Sequence, residues 1–288
     1  MKPAAFAYSR PDSLDAALRQ LADSAGQAKV IAGGQSLGPM LNMRLATPSA
    51  IIDLNDLIEL SIIRDKGDTI EVGALTRHFQ IAESPLVQAA CPLLAEAAGT
   101  IGHYAIRQRG TLGGSLAHAD PVAQLSLIAA TLKAKIEVVS ERGRRVVPAS
   151  EFFLSAMTTA LEPDELIRSV SFPKLSSGEG SSFQLFNRRR GDYAIVAVAA
   201  SVALAQDRVT SLRLGISGVG AVPVSLASLV LPFVGSGPNL HWVTDLAHAL
   251  RASLTPQDDA QIPALYRQEL AQTLTEKSLL RALERARA

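Results

Sequence analysis

VIAGGQSLGP (Val30–Pro39) and TLGGSLAHADP (Thr111–Pro121) each set a glycine pair just ahead of a serine. Glycine has no Cβ, so such a backbone can take positive φ and let a ligand approach closely. Successive N–H groups in a turn of this kind converge on an anion-binding concavity. Ser36 and Ser115 add hydroxyls, and Gln35 adds an amide donor. No lysine follows either motif at P-loop spacing, and neither is a G-x-G-x-x-G opening a βαβ helix. Each motif alone reads as a tight turn. The two together speak more strongly for a cradle that binds a diphosphate than either does alone, with simple turns as the other reading.

The 288 residues are 48% apolar and 19% charged, a globular composition with enough chain for two domains. A formal net charge of +1 gives no reason to expect nucleic acid as a partner. The basic cluster RRRGD (Arg188–Asp192) is local and reads as a solvated edge, or as a site for a phosphate or a partner. One cysteine, Cys91, excludes an intrachain disulfide and a Cys-based metal site, and it reads as a small core residue. Iron–sulfur or zinc chemistry would therefore lie on another chain. The opening MKPAAFAYSRPDSLDAAL has no continuous apolar run of the signal-peptide kind. AIVAVAASVALA (Ala194–Ala205) is too short to span a bilayer and reads as a buried strand or helix. A soluble, cytoplasmic protein without an integral membrane segment is expected.

The pattern begins with a short strand, FAYSRP, and a helix, SLDAALRQLADSA, capped by Asp12 or Ser13. Buried strands AKVIAGG and IIDL follow. LSIIRDKGDTIEVGAL predicts a hairpin, and HFQIAESPLVQAACPLLAEAAGTIG predicts helix interrupted at Pro85 and Pro92. PVAQLSLIAATLKA predicts a helix with Pro121 in its first turn. AKIEVVSERGRRVVPASEFF predicts a hairpin around Glu141–Gly143, and DELIRSVSFPK a strand. KLSSGEGSS (Lys174–Ser182) reads as a linker. SFQLFNRR, YAIVAVAASVAL and SLRLGISGVG predict strands, and the tail from Asn239 predicts helices.

Around the second motif, Asp120 could accept from a ribityl or ribose hydroxyl, or cap the helix expected at Pro121. His118 has no carboxylate or nucleophile nearby in sequence and reads as structural. Arg107 and Arg109 could position phosphate oxygens or serve packing and ion pairing.

AGGQSLGP followed by IRQRGTLGGSLAHADP resembles the FAD-binding medium subunit of the molybdenum hydroxylases, the family of carbon monoxide dehydrogenase and xanthine dehydrogenase-like enzymes. ALEPDEL (Ala160–Leu166) and RRRGDYAIVAVAA (Arg188–Ala200) resemble later segments of that family, so the likeness spans the chain. It implies an α+β fold: a two-lobed vanillyl-alcohol-oxidase (PCMH)-type FAD-binding domain over residues 1–175, with lobes of about 1–57 and 58–175. A C-terminal domain of small antiparallel sheet plus helices over 176–288 would follow. By motif, Ile31, Ala32, Gly33, Gly34, Gln35, Ser36 and Leu37 would line the FAD from the first segment. Thr111, Gly113, Gly114, Ser115 and Ala117 would do so from the second, with Asp120 near the ribityl or ribose hydroxyls and Leu161 near the flavin end. Some relatives place a lysine near the start of the first C-terminal strand; Gln184 stands there in this chain. Tyr193 and Ile195 are candidates to cover the isoalloxazine face, or ordinary strand packing.

The resemblance further implies a heterotrimer, paired as a dimer of heterotrimers. A large subunit would carry the molybdenum cofactor and a small subunit the 2Fe–2S clusters. Electrons would reach the FAD on this chain and leave to an external acceptor. The sequence shows no acid–base triad, as expected for a chain whose redox chemistry belongs to its flavin. Two other readings are a free-standing flavoenzyme of the same fold and a non-catalytic binding protein whose glycine pairs are only turns.

Overall fold

The computed structural model describes residues 2–288. The first lobe is a parallel sheet of β1 (Ala7–Ser9), β2 (Ala28–Ile31) and β3 (Ala50–Asp53), ordered β1-β3-β2. Helix α1 (Leu14–Asp23) starts where the Ser13 hydroxyl accepts from the Ala16 N–H, and it buries Ala17, Leu18 and Leu21. Helix α2 (Leu37–Asn42) follows the first glycine motif directly.

The second lobe is an antiparallel sheet with helices over one face. Its strands are β4 (Ile63–Asp65), β5 (Thr69–Gly73), β6 (Lys135–Ser140), β7 (Gly143–Pro148) and, after the small ribbon of β8 (Phe153–Ser155) and β9 (Thr158–Thr159), β10 (Leu166–Pro173). The order is β4-β5-β10-β6-β7, so β10 returns to the centre. The helices are α3 (His78–Glu83), α4 (Pro85–Ala90), α5 (Pro92–Gly99), α6 (Tyr104–Arg109), α7 (Leu112–His118), α8 (Gln124–Thr131) and the single turn α9 (Ala149–Phe152). Pro85 and Pro92 break the helical segment where the sequence predicts, each opening a new helix whose first N–H would have no partner anyway.

Three local expectations differ from the structure. The second glycine motif is not a turn but the first turns of α7, because Thr111 caps it. The helix expected at Pro121 begins at Gln124. Before it, the Asp120 side chain accepts from the Val122 N–H at 2.9 Å and its carbonyl from Ala123 at 3.0 Å, which closes a separate turn. The presumed linker is shorter than expected, since a strand begins at Glu179.

The C-terminal domain is a sheet of β11 (Glu179–Phe186), β12 (Val196–Ala205), β13 (Arg208–Ser217) and β14 (Val224–Ser225), antiparallel in chain order. Helices α10 (Ala227–Val230), α11 (Leu240–Ser253) and α12 (Ala264–Arg287) complete it. β12 settles the strand-or-helix ambiguity of its all-apolar sequence. Val196, Val198, Ala200 and Val202 face α11 and α12, while Ala197 and Ala199 join the core of the second lobe. A strand buried on both faces needs no polar alternation. The small alanines let the second lobe approach closely, and Gly215 on β13 does the same. A Cβ there would sit 1.9 Å from the Thr131 Oγ1 of α8. None of the helices among the described residues is long and apolar enough to cross a membrane.

Gly215→Val should therefore wedge the domains apart. Chemical denaturation is expected to show a loss of about 2–3 kcal/mol, the usual scale for overpacking a tight contact. An unchanged midpoint would mean that the contact yields freely.

Candidate functional site

The first glycine motif lies at the carboxyl end of β2, where open parallel sheets place their ligands. The chain turns through Ala32–Ser36 before entering α2. Gly34 takes φ +69°, and a Cβ there would meet only the Ile31 side chain. The backbone N–H groups of Ala32, Gly33, Gly34, Gln35, Ser36 and Leu37 all lack an acceptor among the described residues. The Ser36 hydroxyl is likewise unpaired by any described residue, whereas Gln35 turns its amide back onto the Gly33 carbonyl at 2.8 Å. Six consecutive unclaimed donors in a half-buried turn make a nest for an anion.

The second motif is built differently. Its N–H groups are already committed: Leu112 to the Thr76 carbonyl (3.0 Å), Gly113 to Ala74 (2.8 Å), Gly114 to the Thr111 hydroxyl (3.1 Å) and Ser115 to the Thr111 carbonyl (3.0 Å). The expectation of a second nest is corrected accordingly. What α7 offers is space and a hydroxyl. Gly113 is pressed onto Ala74, but Gly114 and Ala117 are exposed, and a Cβ on Gly114 would meet only its own capping Thr111 hydroxyl. Ser115 is half-buried and its Oγ lies 3.2 Å from His78 Nε2.

A polar chain that the sequence reading missed ties the two motifs together. A Cβ on Gly33 would lie 2.2 Å from the Arg109 carbonyl oxygen, so the first turn rests directly on the backbone leading into the second. Arg77 donates to that same carbonyl and, at 2.6 Å, to Asn55 Oδ1. Asn55 donates to the Ala32 carbonyl at 2.9 Å. Asp53 in turn accepts from the Asn55 N–H at 2.9 Å and from the Tyr8 hydroxyl at 2.6 Å. Burial would raise the Asp53 carboxyl, but the hydrogen bonds from Tyr8 and Asn55 outweigh it and hold its pKa below the usual value. Of its members, only Asp53 and Asn55, at the carboxyl end of the IIDL strand, are close in sequence.

The remaining candidates scatter in role. Asp120 keeps Oδ2 free while Oδ1 closes its local turn. Leu161 packs half-buried at the edge of the second-lobe core. Gln184 is half-buried on β11, with its amide 3.3 Å from the Ser182 hydroxyl. Tyr193 stands exposed ahead of β12, its phenol pKa raised by local desolvation and then by the Asp120 carboxylate. Ile195 instead belongs to the C-terminal core, and its carbonyl accepts from Arg267 at 2.9 Å. Arg107 spends its guanidinium on the carbonyls of Ile101 and Gly102, a structural role. Cys91 is buried and its thiol is pushed up to about 12 by burial, so it is the inert core residue expected. A cavity of about 550 Å³ lies beside the site, where His103, Tyr104 and Arg107 of the second lobe face Asn187 and Arg190 of the C-terminal domain. No cluster of metal-ligating side chains occurs among the described residues.

A small parallel α/β lobe and an antiparallel α+β lobe with an anion nest at their meeting point, followed by an antiparallel sheet under two helices, define an FAD-binding chain of the two-lobed type. Residues 4–175 match the FAD binding domain in molybdopterin dehydrogenase, and residues 181–282 match the CO dehydrogenase flavoprotein C-terminal domain. The chain belongs to this family, the FAD-binding medium subunits of molybdenum hydroxylases. It is 40% identical over 288 residues to the 6-hydroxypseudooxynicotine dehydrogenase complex subunit alpha of Paenarthrobacter nicotinovorans, covering 100% of this chain and 97% of that one. It superimposes on a chain of carbon monoxide dehydrogenase from Hydrogenophaga pseudoflava with TM-score 0.95 at 33% identity, covering 99% of each. Quinoline 2-oxidoreductase from Pseudomonas putida 86 gives TM-score 0.95 at 34% identity over 100% of both chains.

His78 beneath the second motif makes the fold pH-sensitive. Burial, with the charges of Arg77 and Arg107, lowers its pKa from 6.5 to about 4, against the opposing hydrogen bond to the Thr111 carbonyl. The unfolded chain binds a proton that the folded chain refuses, so the stability His78 contributes is complete above pH 6.5 and lost as pH falls toward about 4. Urea titrations between those pH values should show a steeper loss for the wild type than for His78→Gln. Parallel slopes would remove His78 as the cause.

Proposed function

We propose that this chain holds one FAD between its two lobes and serves as the electron-transfer subunit of a molybdenum hydroxylase, taking electrons from 2Fe–2S clusters on a small partner subunit and releasing them to an external acceptor. Substrate oxidation would take place at the molybdenum cofactor of a large partner subunit, in a cytoplasmic complex. Residues 1–175 would form the FAD domain, its lobes dividing near residue 57, and residues 176–288 the C-terminal domain.

The observation that carries this reading is the row of six N–H donors at Ala32–Leu37 without an acceptor among the described residues, in a turn packed by Gly33 onto Arg109 and Gly110 just ahead of α7. Those N–H groups and the Ser36 hydroxyl would donate to diphosphate oxygens, while Thr111, Gly113, Gly114 and Ser115 bound the other side. Asp120 Oδ2 would accept from a ribityl or ribose hydroxyl, with Leu161, Gln184 and Tyr193 toward the ring end. When bound, the flavin supplies reversible one- and two-electron redox chemistry. The protein's part is binding, orientation and electrostatics, which requires no general base. Relatives at 33–40% identity carry names as different as caffeine, quinoline and 6-hydroxypseudooxynicotine enzymes. That diversity fits a subunit that does not choose the substrate.

The purified chain should release close to one FAD per chain on heating. A colourless chain that also takes up no added FAD would return both motifs to simple turns. Gly114→Asp should abolish FAD retention in a folded chain, since a carboxylate would enter the diphosphate face; full occupancy in that variant would sink the placement. The chain alone should not oxidise an organic substrate at a useful rate. Reduction of its flavin by substrate without partner subunits would favour a free-standing flavoenzyme instead.

A further inference from the structure

His78 is buried, at 4% exposure, under the start of α7, and nothing in the reading above gives it a task. Its Nε2 lies 3.0 Å from the Thr111 carbonyl oxygen and 3.2 Å from Ser115 Oγ. Its Nδ1 is buried with no partner among the described residues and faces the Cα of Gly110. The tautomer follows from these contacts. A carbonyl oxygen has no proton to give, so a nitrogen at 3.0 Å from it must carry the hydrogen. The neutral ring therefore holds its proton on Nε2.

That assignment fixes a second proton. Ser115 Oγ faces an N–H and can only accept from it. Its own hydrogen cannot point at His78, and Ser115 has no acceptor among the described residues. The hydroxyl sits one residue beyond the exposed Gly114, on the half-buried rim of α7. We infer that His78 is a positioning residue: by donating from Nε2 to both the Thr111 carbonyl and Ser115 Oγ, it turns the Ser115 hydroxyl into an obligate donor toward an anionic oxygen of the bound dinucleotide. The inference rests on the FAD reading above.

The polarity matters because a hydroxyl left to itself can donate or accept, and only the donating orientation stabilises a phosphate. A hydrogen bond to a charged group changes affinity by about tenfold or more. The side chain of glutamine can place an N–H close to where His78 Nε2 lies, whereas leucine fills the space without a donor.

The experiment is a fluorescence titration of FAD into the flavin-stripped full chain, for wild type, Ser115→Ala, His78→Gln, His78→Leu and the His78→Leu/Ser115→Ala pair. Ser115→Ala and His78→Leu should each weaken FAD binding by about tenfold, His78→Gln should stay near the wild type, and the double variant should bind no worse than Ser115→Ala alone. A purely structural histidine predicts a different outcome: His78→Leu would weaken binding by the same factor with or without Ser115, and that result overturns the inference. FAD affinity unchanged in Ser115→Ala overturns it too, and does so even if His78→Leu fails to fold. A wild-type chain that binds no FAD overturns the flavin reading itself, and the inference falls with it.

Discussion

The site depends on one close approach, the packing of Gly33 onto the backbone of Arg109 and Gly110. With a side chain at Gly33 the first lobe could not sit against the second, because a Cβ would overlap the Arg109 carbonyl. That contact is why the two glycine motifs, far apart in sequence, belong to one surface. The Arg77 guanidinium then fastens it by donating to the same carbonyl and to Asn55, which holds Ala32. The ionised Asp53 completes the chain from Tyr8, on the other side of the small parallel sheet. Among the members only Asp53 is buried, with Asn55 and Arg77 half-buried, so the lobes are registered by a polar network as well as by shape.

The same device recurs between domains. Gly215 admits Thr131 of α8, and within the C-terminal domain Gly180 likewise admits the backbone of α12 at Ala282 and Ala286. Ala197 and Ala199 of β12 join the core of the second lobe. Small residues at tight crossings leave little free volume, so the C-terminal sheet is held at a fixed distance from the second lobe.

Much of this was legible in the sequence because its cues are local. The two GG-hydroxyl motifs, Pro85 and Pro92 as helix starts, the Glu141–Gly143 hairpin and the inert Cys91 all follow from short-range chemistry. β12 was ambiguous for a physical reason: burial on both faces erases the alternation that distinguishes a strand. The α8 boundary was misplaced because Asp120 and Pro121 make as good a turn as a helix start. The network through Tyr8, Asn55 and Arg77 was invisible, since its members come from three separated segments and no spacing links them. Likewise, nothing in TLGGS distinguishes a glycine turn from a glycine-rich helix start. The choice is made by Ala74 and Thr76, whose carbonyls claim the N–H groups of Gly113 and Leu112.

That last point alters how the paired motifs should be understood. They are similar in sequence and opposite in use. The first keeps its backbone donors free and lets Gln35 lock its shape; the second spends its donors on Ala74 and Thr76, just beyond β5, and on its own capping Thr111. A ligand held by two nests would need both lobes to yield their backbone hydrogen bonds, leaving each lobe less stable when empty. With the unclaimed backbone donors confined to one turn, the second lobe keeps the N–H groups at the start of α7 paired and presents Gly114, Ala117 and the Ser115 hydroxyl. The nest consists of peptide dipoles and carries no formal charge. Arg77 and Arg107 are turned onto carbonyls. Their charge stabilises the frame, and the N–H groups are left to face the ligand.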